Sequence, residues 1–274
     1  MKIIISHTIN MKITETPNDL PNINPVKERM DIYVPDVNIH IPHKRGFVYG
    51  MVGSGGSGKT SLLLSMFKHR EYYRSKFDNI HFFIPESSYL SVTKHPFKDH
   101  GNVYHELTID ALEDIYDELL DLKEEAINEG WPIETSLIII DDMANNLKDN
   151  ELVKQLNKMI IKSRHLFVCW IFTLQSYNLM NLTIRKQFTN LTIFKPKNAK
   201  ETVAVSSEVI NMNRDSTVKL FNYVFSEPYS HLDVDTFTGQ LYKNFNPLTI
   251  EDKENFIPPV KSEIEEEHKE KRKK

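Results

Sequence analysis

Five short apolar runs are spaced along the chain: Phe47–Val52, Ile80–Ile84, Leu137–Ile140, Leu166–Leu174 and Leu191–Phe194. Each is continuous rather than alternating, which is the pattern of strands buried on both faces of a parallel sheet. Helical periodicity lies between them. It covers Thr60 to Lys68, Leu147 to His165, a short helix from Leu182 to Phe188, then Ala199 to Ile210 and Asn213 to Phe225. The strongest helix is Thr108 to Glu129, with Thr108 as N-cap, a stripe of Leu112, Ile115, Leu119, Leu122 and Ile127, and Gly130 as its stop. Strands alternating with helices predict an α/β fold with a mostly parallel central sheet flanked by helices. His231–Phe237 and Gln240–Phe245, joined through Thr238-Gly239, predict a C-terminal hairpin, and alternation from Asp31 to Ile41 predicts an edge strand or small hairpin before the core.

These patterns divide the chain into a polar arm over 1–30, one domain over 31–245, and a charged, disordered tail over 246–274 that ends in a basic tip. At 274 residues, one large domain with extensions is the expected organisation. The net charge of -4 gives no global basic signature, so any nucleic-acid contact must come from a local patch or an assembled surface. The single cysteine, Cys169, lies in an apolar run and reads as a buried, inert thiol; it excludes an intrachain disulfide framework. No run reaches membrane-span length, and the apolar stretch after Met1 is too short for a signal peptide. Met11-Lys12-Ile13 repeats the Met1-Lys2-Ile3 pattern and is a second candidate start. His7, His40 and His43 lack metal-ligand spacing and read as solvated loop residues.

Between the first strand and the first helix stands Gly53-Ser54-Gly55-Gly56-Ser57-Gly58-Lys59-Thr60, which fits G-x-x-x-x-G-K-[ST]. Strand, glycine loop and helix are the three parts a phosphate-binding loop requires. Its glycines bring backbone N–H groups close to phosphate oxygens, and the helix N-terminus adds the positive end of its dipole. The expected ligand is ATP, held by Gly53 to Thr60 and Ser61. Lys59 reaches the β- and γ-phosphates and the Thr60 hydroxyl sits on Mg²⁺.

Leu137-Ile138-Ile139-Ile140 closes in Asp141-Asp142, a buried strand delivering two carboxylates to the sheet's C-terminal edge. Asp141 is the candidate for Mg²⁺ or its bound water, and Asp142 for orienting or deprotonating the attacking water. The next apolar run ends in Thr173-Leu174-Gln175-Ser176. A strand that directly follows the acid-bearing one and ends in an amide is the pattern of additional-strand, RecA/FtsK-like P-loop NTPases. In that arrangement Gln175 senses the γ-phosphate and polarises water; the alternative is a Gln satisfying backbone groups.

Together with Ser163-Arg164-His165 and Leu182-Thr183-Ile184-Arg185, these motifs resemble the FtsK/HerA-type branch of P-loop ATPases, and most closely the poxvirus-type viral genome-packaging ATPases, over roughly residues 45–200. The resemblance implies a homo-oligomeric ring, pentamer or hexamer, that uses ATP to thread double-stranded DNA into a viral capsid in the host-cell cytoplasm (the virus factory) or virion. It implies nucleotide between subunits and an arginine supplied by the neighbour, with Arg185 the first candidate and Arg164 the second. Sequence-independent phosphate gripping points to pore loops, with Lys94, Lys98, Lys195, Lys197 and Lys200 as candidates and His95 and His100 nearby. Two other readings stand beside this one: a P-loop nucleotide kinase, whose arginine-rich lid has no counterpart after the Lys59 helix, and a nucleotide-dependent binding module.

Overall fold

The computed structural model describes residues 34–250 except 35, 94, 99–101 and 144, so the 1–30 arm and the tail beyond 250 lie outside the described residues. Its centre is a sheet in the order β3-β2-β4-β5-β1-β6-β7-β8-β9. The strands are β1 (Val48–Val52), β2 (Asn79–Phe83), β3 (Val103–Tyr104), β4 (Ser136–Asp141), β5 (Val168–Leu174), β6 (Asn190–Phe194), β7 (His231–Asp235), β8 (Leu241–Lys243) and β9 (Asn246–Pro247). All pairs from β3 through β6 are parallel; β6 to β9 pair antiparallel. β5 lies between β1 and β4, the inserted strand that the sequence predicts.

The five apolar runs become strands because helices cover both faces. Those helices are α1 (Lys59–Met66), α2 (Glu86–Leu90), α3 (Ile109–Glu129), α4 (Asn150–Ile161), α5 (Ser163–Leu166), α6 (Leu182–Arg185), α7 (Ala199–Val205) and α8 (Arg214–Val224). Side chains alternate across each strand, so β1 sends Tyr49 and Met51 toward α1 and Val48 and Val52 toward α3, α4 and α8. On β4, Leu137 and Ile139 face α1 while Ile138 and Ile140 face the other layer. Asp141 continues the α1-facing series, and this alternation aims its carboxylate at the start of that helix.

Several local expectations change. Asp31–Ile41 forms no strand among its described residues: the chain turns, with Asp36 at φ 56°, the Val34 amide donates to the His43 carbonyl at 2.7 Å, and Val34 and Ile41 are buried under the α1 layer. On α3 the stripe runs through Leu112, Ile115, Leu119 and Ala126, leaving Ile127 exposed, because 3.6-residue periodicity puts 126 rather than 127 above that face. Thr108 and Gly130 cap α3 as expected: the Thr108 side chain accepts from the Ala111 amide, and Gly130 takes φ 73°. The expected helix over Leu147–His165 is a single turn, α4 and α5, since Asp149 caps α4 by accepting from the Glu151 amide at 2.9 Å. The helix from Ala199 stops at Val205 in a wider turn over Ser206–Ile210, which Asn211 closes at φ 54°. β3 and β9 have two residues each, too short to leave a periodic trace. β9 pairs with β8, so the sheet continues to Pro247.

Candidate active site

The loop turns from β1 into α1 with Gly56 at φ 75° and Gly58 at φ 104°, conformations in which a Cβ is strained. Gly53 is constrained differently: a Cβ there would lie 2.6 Å from Ser57 Oγ and 2.7 Å from Phe194 Cβ. Gly58 caps α1 without a side chain, leaving the first-turn amides facing the loop. Ser57 Oγ is buried with no hydrogen-bond partner among the described residues, as expected of a group whose partner is a ligand oxygen. The buried Lys59 ammonium donates to the Gly53 carbonyl and, at 3.2 Å, to that of Ser54. Burial lowers its pKa, with Asp142 and Asp141 pulling the other way and Lys197 adding to the lowering.

The two aspartates meet this loop across β5. Thr60 Oγ1 lies 3.4 Å from both carboxylate oxygens of Asp141. Asp141 is paired in register with Thr173 on β5, and the two share a sheet face. The Thr173 hydroxyl donates to Asp141 Oδ1 and accepts the Asp142 amide at 3.1 Å. Burial raises the Asp141 pKa, with the Thr173 hydrogen bond opposing it and the Asp142 charge adding to it. Asp142 leaves the strand at φ 56°, half-buried, and accepts from Gln175 Nε2 at 2.8 Å. A cleft of about 440 Å³ opens along Asp142 and Gln175, with Ser87, Ser88 and Lys148 in its lining.

The donors suit a hard divalent cation. Thr60 and Asp141 offer oxygens only, and among the described residues no group of three or more His, Cys, Asp or Glu converges. That falls short of an all-protein cage and fits Mg²⁺, which takes one or two protein oxygens and completes its shell with phosphate and water.

The other candidates fall elsewhere. Arg185 is held within its own chain: it donates to Asn178 Oδ1 at 3.0 Å, pairs with Glu208 at 3.5 Å and lies over the Tyr177 ring at 4.7 Å. Arg164 is exposed and lies beside Gly46, where a Cβ would be 2.7 Å from Arg164 Cγ; this is the edge of the sheet where β1 begins, opposite the loop. Lys197 is near enough to influence Lys59, while Lys195, Lys98 and Lys200 are exposed. His95 is a correction. It is buried among Phe82, Tyr89 and Phe97 and is no free phosphate ligand, because its ring completes an aromatic cluster under the short α2, where the sequence predicts only loop. Lys94 and His100 lie outside the described residues. Sequence reasoning missed the role of Thr173; the signal was a hydroxyl near the end of an otherwise apolar strand.

A family model described as Poxvirus A32 protein matches residues 41–236. The chain belongs to that family. The match includes the loop, both aspartates, the inserted strand and β7, and membership makes the chain a P-loop ATPase of the FtsK/HerA-type branch, as its motifs imply. No curated protein matches the chain. Among solved structures it is similar to the genome packaging NTPase B204 from Sulfolobus turreted icosahedral virus 2 in complex with AMPPCP: 15% identity, 73% of this chain and 97% of that one, TM-score 0.50. It is also similar to the pCW3 conjugation coupling protein TcpA with ATPgS: 15% identity, 78% of this chain and 63% of that one, TM-score 0.50. At these identities the likeness is one of fold. No helix among the described residues of this A32-family chain is long and apolar enough to cross a membrane.

Proposed function

We propose that this chain is an ATP-driven motor that moves double-stranded viral DNA into a capsid. The observation that carries the reading is the convergence of Lys59, Thr60, Asp141, Thr173, Asp142 and Gln175 at the ends of three adjacent strands. In this reading the loop amides hold the triphosphate and Lys59 exchanges its loop carbonyls for phosphate oxygens. Thr60 and Asp141 would hold Mg²⁺, which when bound would supply positive charge beside the phosphates. Asp142, oriented by Gln175 and by its own amide on Thr173, takes the proton of the attacking water.

The motor acts as a homo-oligomeric ring, pentamer or hexamer, with nucleotide between subunits. A neighbour's arginine stabilises the transferring phosphoryl group. Arg164 is exposed and Arg185 is engaged within its own chain, so Arg185 must first leave Glu208 and Tyr177 to act on a neighbour. Exposed lysines at the strand ends, Lys195 and Lys197 among them, grip DNA phosphates without reading sequence. The ATPase core spans 31–245 together with the two residues of β9, with the arm and the rest of the tail outside it, and the protein works at the viral assembly site in the host cytoplasm or in the virion.

The deciding experiment is the ATPase rate with and without double-stranded DNA over a salt series, alongside the native mass. DNA should stimulate turnover, added salt should erode the stimulation, and the mass should be that of a ring. A monomer whose turnover ignores DNA at low salt refutes the motor.

A further inference from the structure

A second groove, of about 630 Å³, opens on the β6 side of the phosphate loop, away from the aspartates. Gly56 and Gly58 form one wall, Ser61 and Leu62 of α1 continue it, and Phe194 and Tyr229 stand across it. Tyr229 precedes β7 and is 72% exposed, yet its ring reaches the loop: Cδ1 lies 3.4 Å from where a Cβ on Gly58 would stand. Its backbone sits at φ 63°, a conformation that a bulky side chain adopts only when its surroundings impose it. The surroundings do so here. The Ser230 amide donates to the Glu227 carbonyl at 3.4 Å, and the His231 amide donates to Asn244 Oδ1 at 2.9 Å, fixing the chain on each side of the exposed ring. The ring of His231 behind it is already occupied by Asp233, Phe194 and Phe245, so Tyr229 is the aromatic face that remains presented to the groove.

We infer that this groove is the nucleoside subsite, with the base of the bound triphosphate laid against the Tyr229 ring. The inference rests on the reading of Gly53–Thr60 as a triphosphate site and says where the rest of that molecule goes. The reacting end of the phosphate chain belongs on the side of Asp141 and Asp142, so the nucleoside must leave the loop on the other side, and this groove begins at the loop glycines themselves. Stacking on a tyrosine face accepts any base, so the site holds a nucleobase without choosing sharply among them.

The test is equilibrium binding of ATP and of inorganic tripolyphosphate to the full chain, to Tyr229→Ala and to Tyr229→Phe. Wild type should hold ATP more tightly than tripolyphosphate. Tyr229→Ala should weaken ATP about tenfold and leave tripolyphosphate unchanged, while Tyr229→Phe keeps wild-type ATP affinity. Unchanged ATP affinity in Tyr229→Ala overturns the subsite. So does an equal loss for both ligands, which would mean that Tyr229 props up the loop rather than meeting a base. If wild type binds neither, the triphosphate reading fails first and the subsite falls with it.

Discussion

Gln175 Nε2 donates to Asp142 Oδ1 at 2.8 Å, so the amide that ends β5 fixes the carboxylate that follows β4. That bond orients the carboxylate and leaves its other oxygen to accept a proton, and a general base must be held in reach of the proton it takes. Asp142→Asn keeps the shape and removes the basicity. Nucleotide binding should survive while turnover falls by about 100-fold or more. Lys59→Ala should lose both. Phosphate release and binding of a fluorescent ATP analogue separate the two outcomes, and near-normal turnover in Asp142→Asn would remove the base role.

Thr173 carries a second consequence. One hydroxyl accepts the Asp142 amide and donates to Asp141, so both acids depend on it. Thr173→Val is close in size but leaves the buried Asp141 carboxylate short of a donor, at a cost of about 1–3 kcal/mol. Turnover should fall, and the Mg²⁺-dependent part of nucleotide affinity should weaken while the Mg²⁺-independent part holds. Thr173→Ser should restore both. A serine variant as impaired as the valine one would show that the methyl group's packing, not the hydroxyl, is what matters.

Much of this geometry is legible in the chain itself, for identifiable reasons. The apolar runs at 48–52, 137–140 and 168–174 declare strands because burial on both faces favours apolar side chains along nearly their whole length, and Gly53 to Thr60 declares its loop because few residue types survive that backbone. The aspartates are legible as the abrupt end of such a run. Thr173 is not, because its importance arises from cross-strand register with Asp141, and register is invisible in one strand alone. Tyr229 is hidden for a related reason: it meets Gly58 only after the chain has passed through β6 and α8. Arg185 shows the converse limit, since its Glu208 partner lies beyond the helix that follows β6 and nothing local announces the pair.

Cys169 is fully buried on β5, and burial pushes its pKa up to about 12, with the Gly46 and Phe47 backbone opposing the shift. Nucleophilic attack requires thiolate and access, and the folded chain offers neither. Iodoacetamide at pH 8 should therefore leave the native protein unlabelled and label it fully in denaturant, as mass spectrometry would read directly. Rapid labelling of the native chain would place the thiol outside the sheet.

His81 makes stability depend on pH. It is fully buried on β2, with its Nδ1 at 3.3 Å from the Tyr104 hydroxyl, and burial lowers its pKa from 6.5 to about 4. Glu118 on α3 approaches Nε2 only to 4.0 Å and is itself half-exposed, so it does little to hold a charge on the ring. The folded state thus keeps the imidazole neutral at pH values where the unfolded chain has already taken up a proton. Stability from this group is complete above about pH 6.5 and is lost as pH falls toward 4, by about 3 kcal/mol over that span. Other groups titrate in the same window, so the comparison needs a variant without the proton site. His81→Asn should be less stable than wild type at pH 7.5 through poorer packing, and the gap should narrow as the pH approaches 4.5, because only wild type pays the protonation cost. Urea midpoints for both proteins across that range test this, and parallel curves would mean that His81 protonates in the folded state as readily as in the unfolded one.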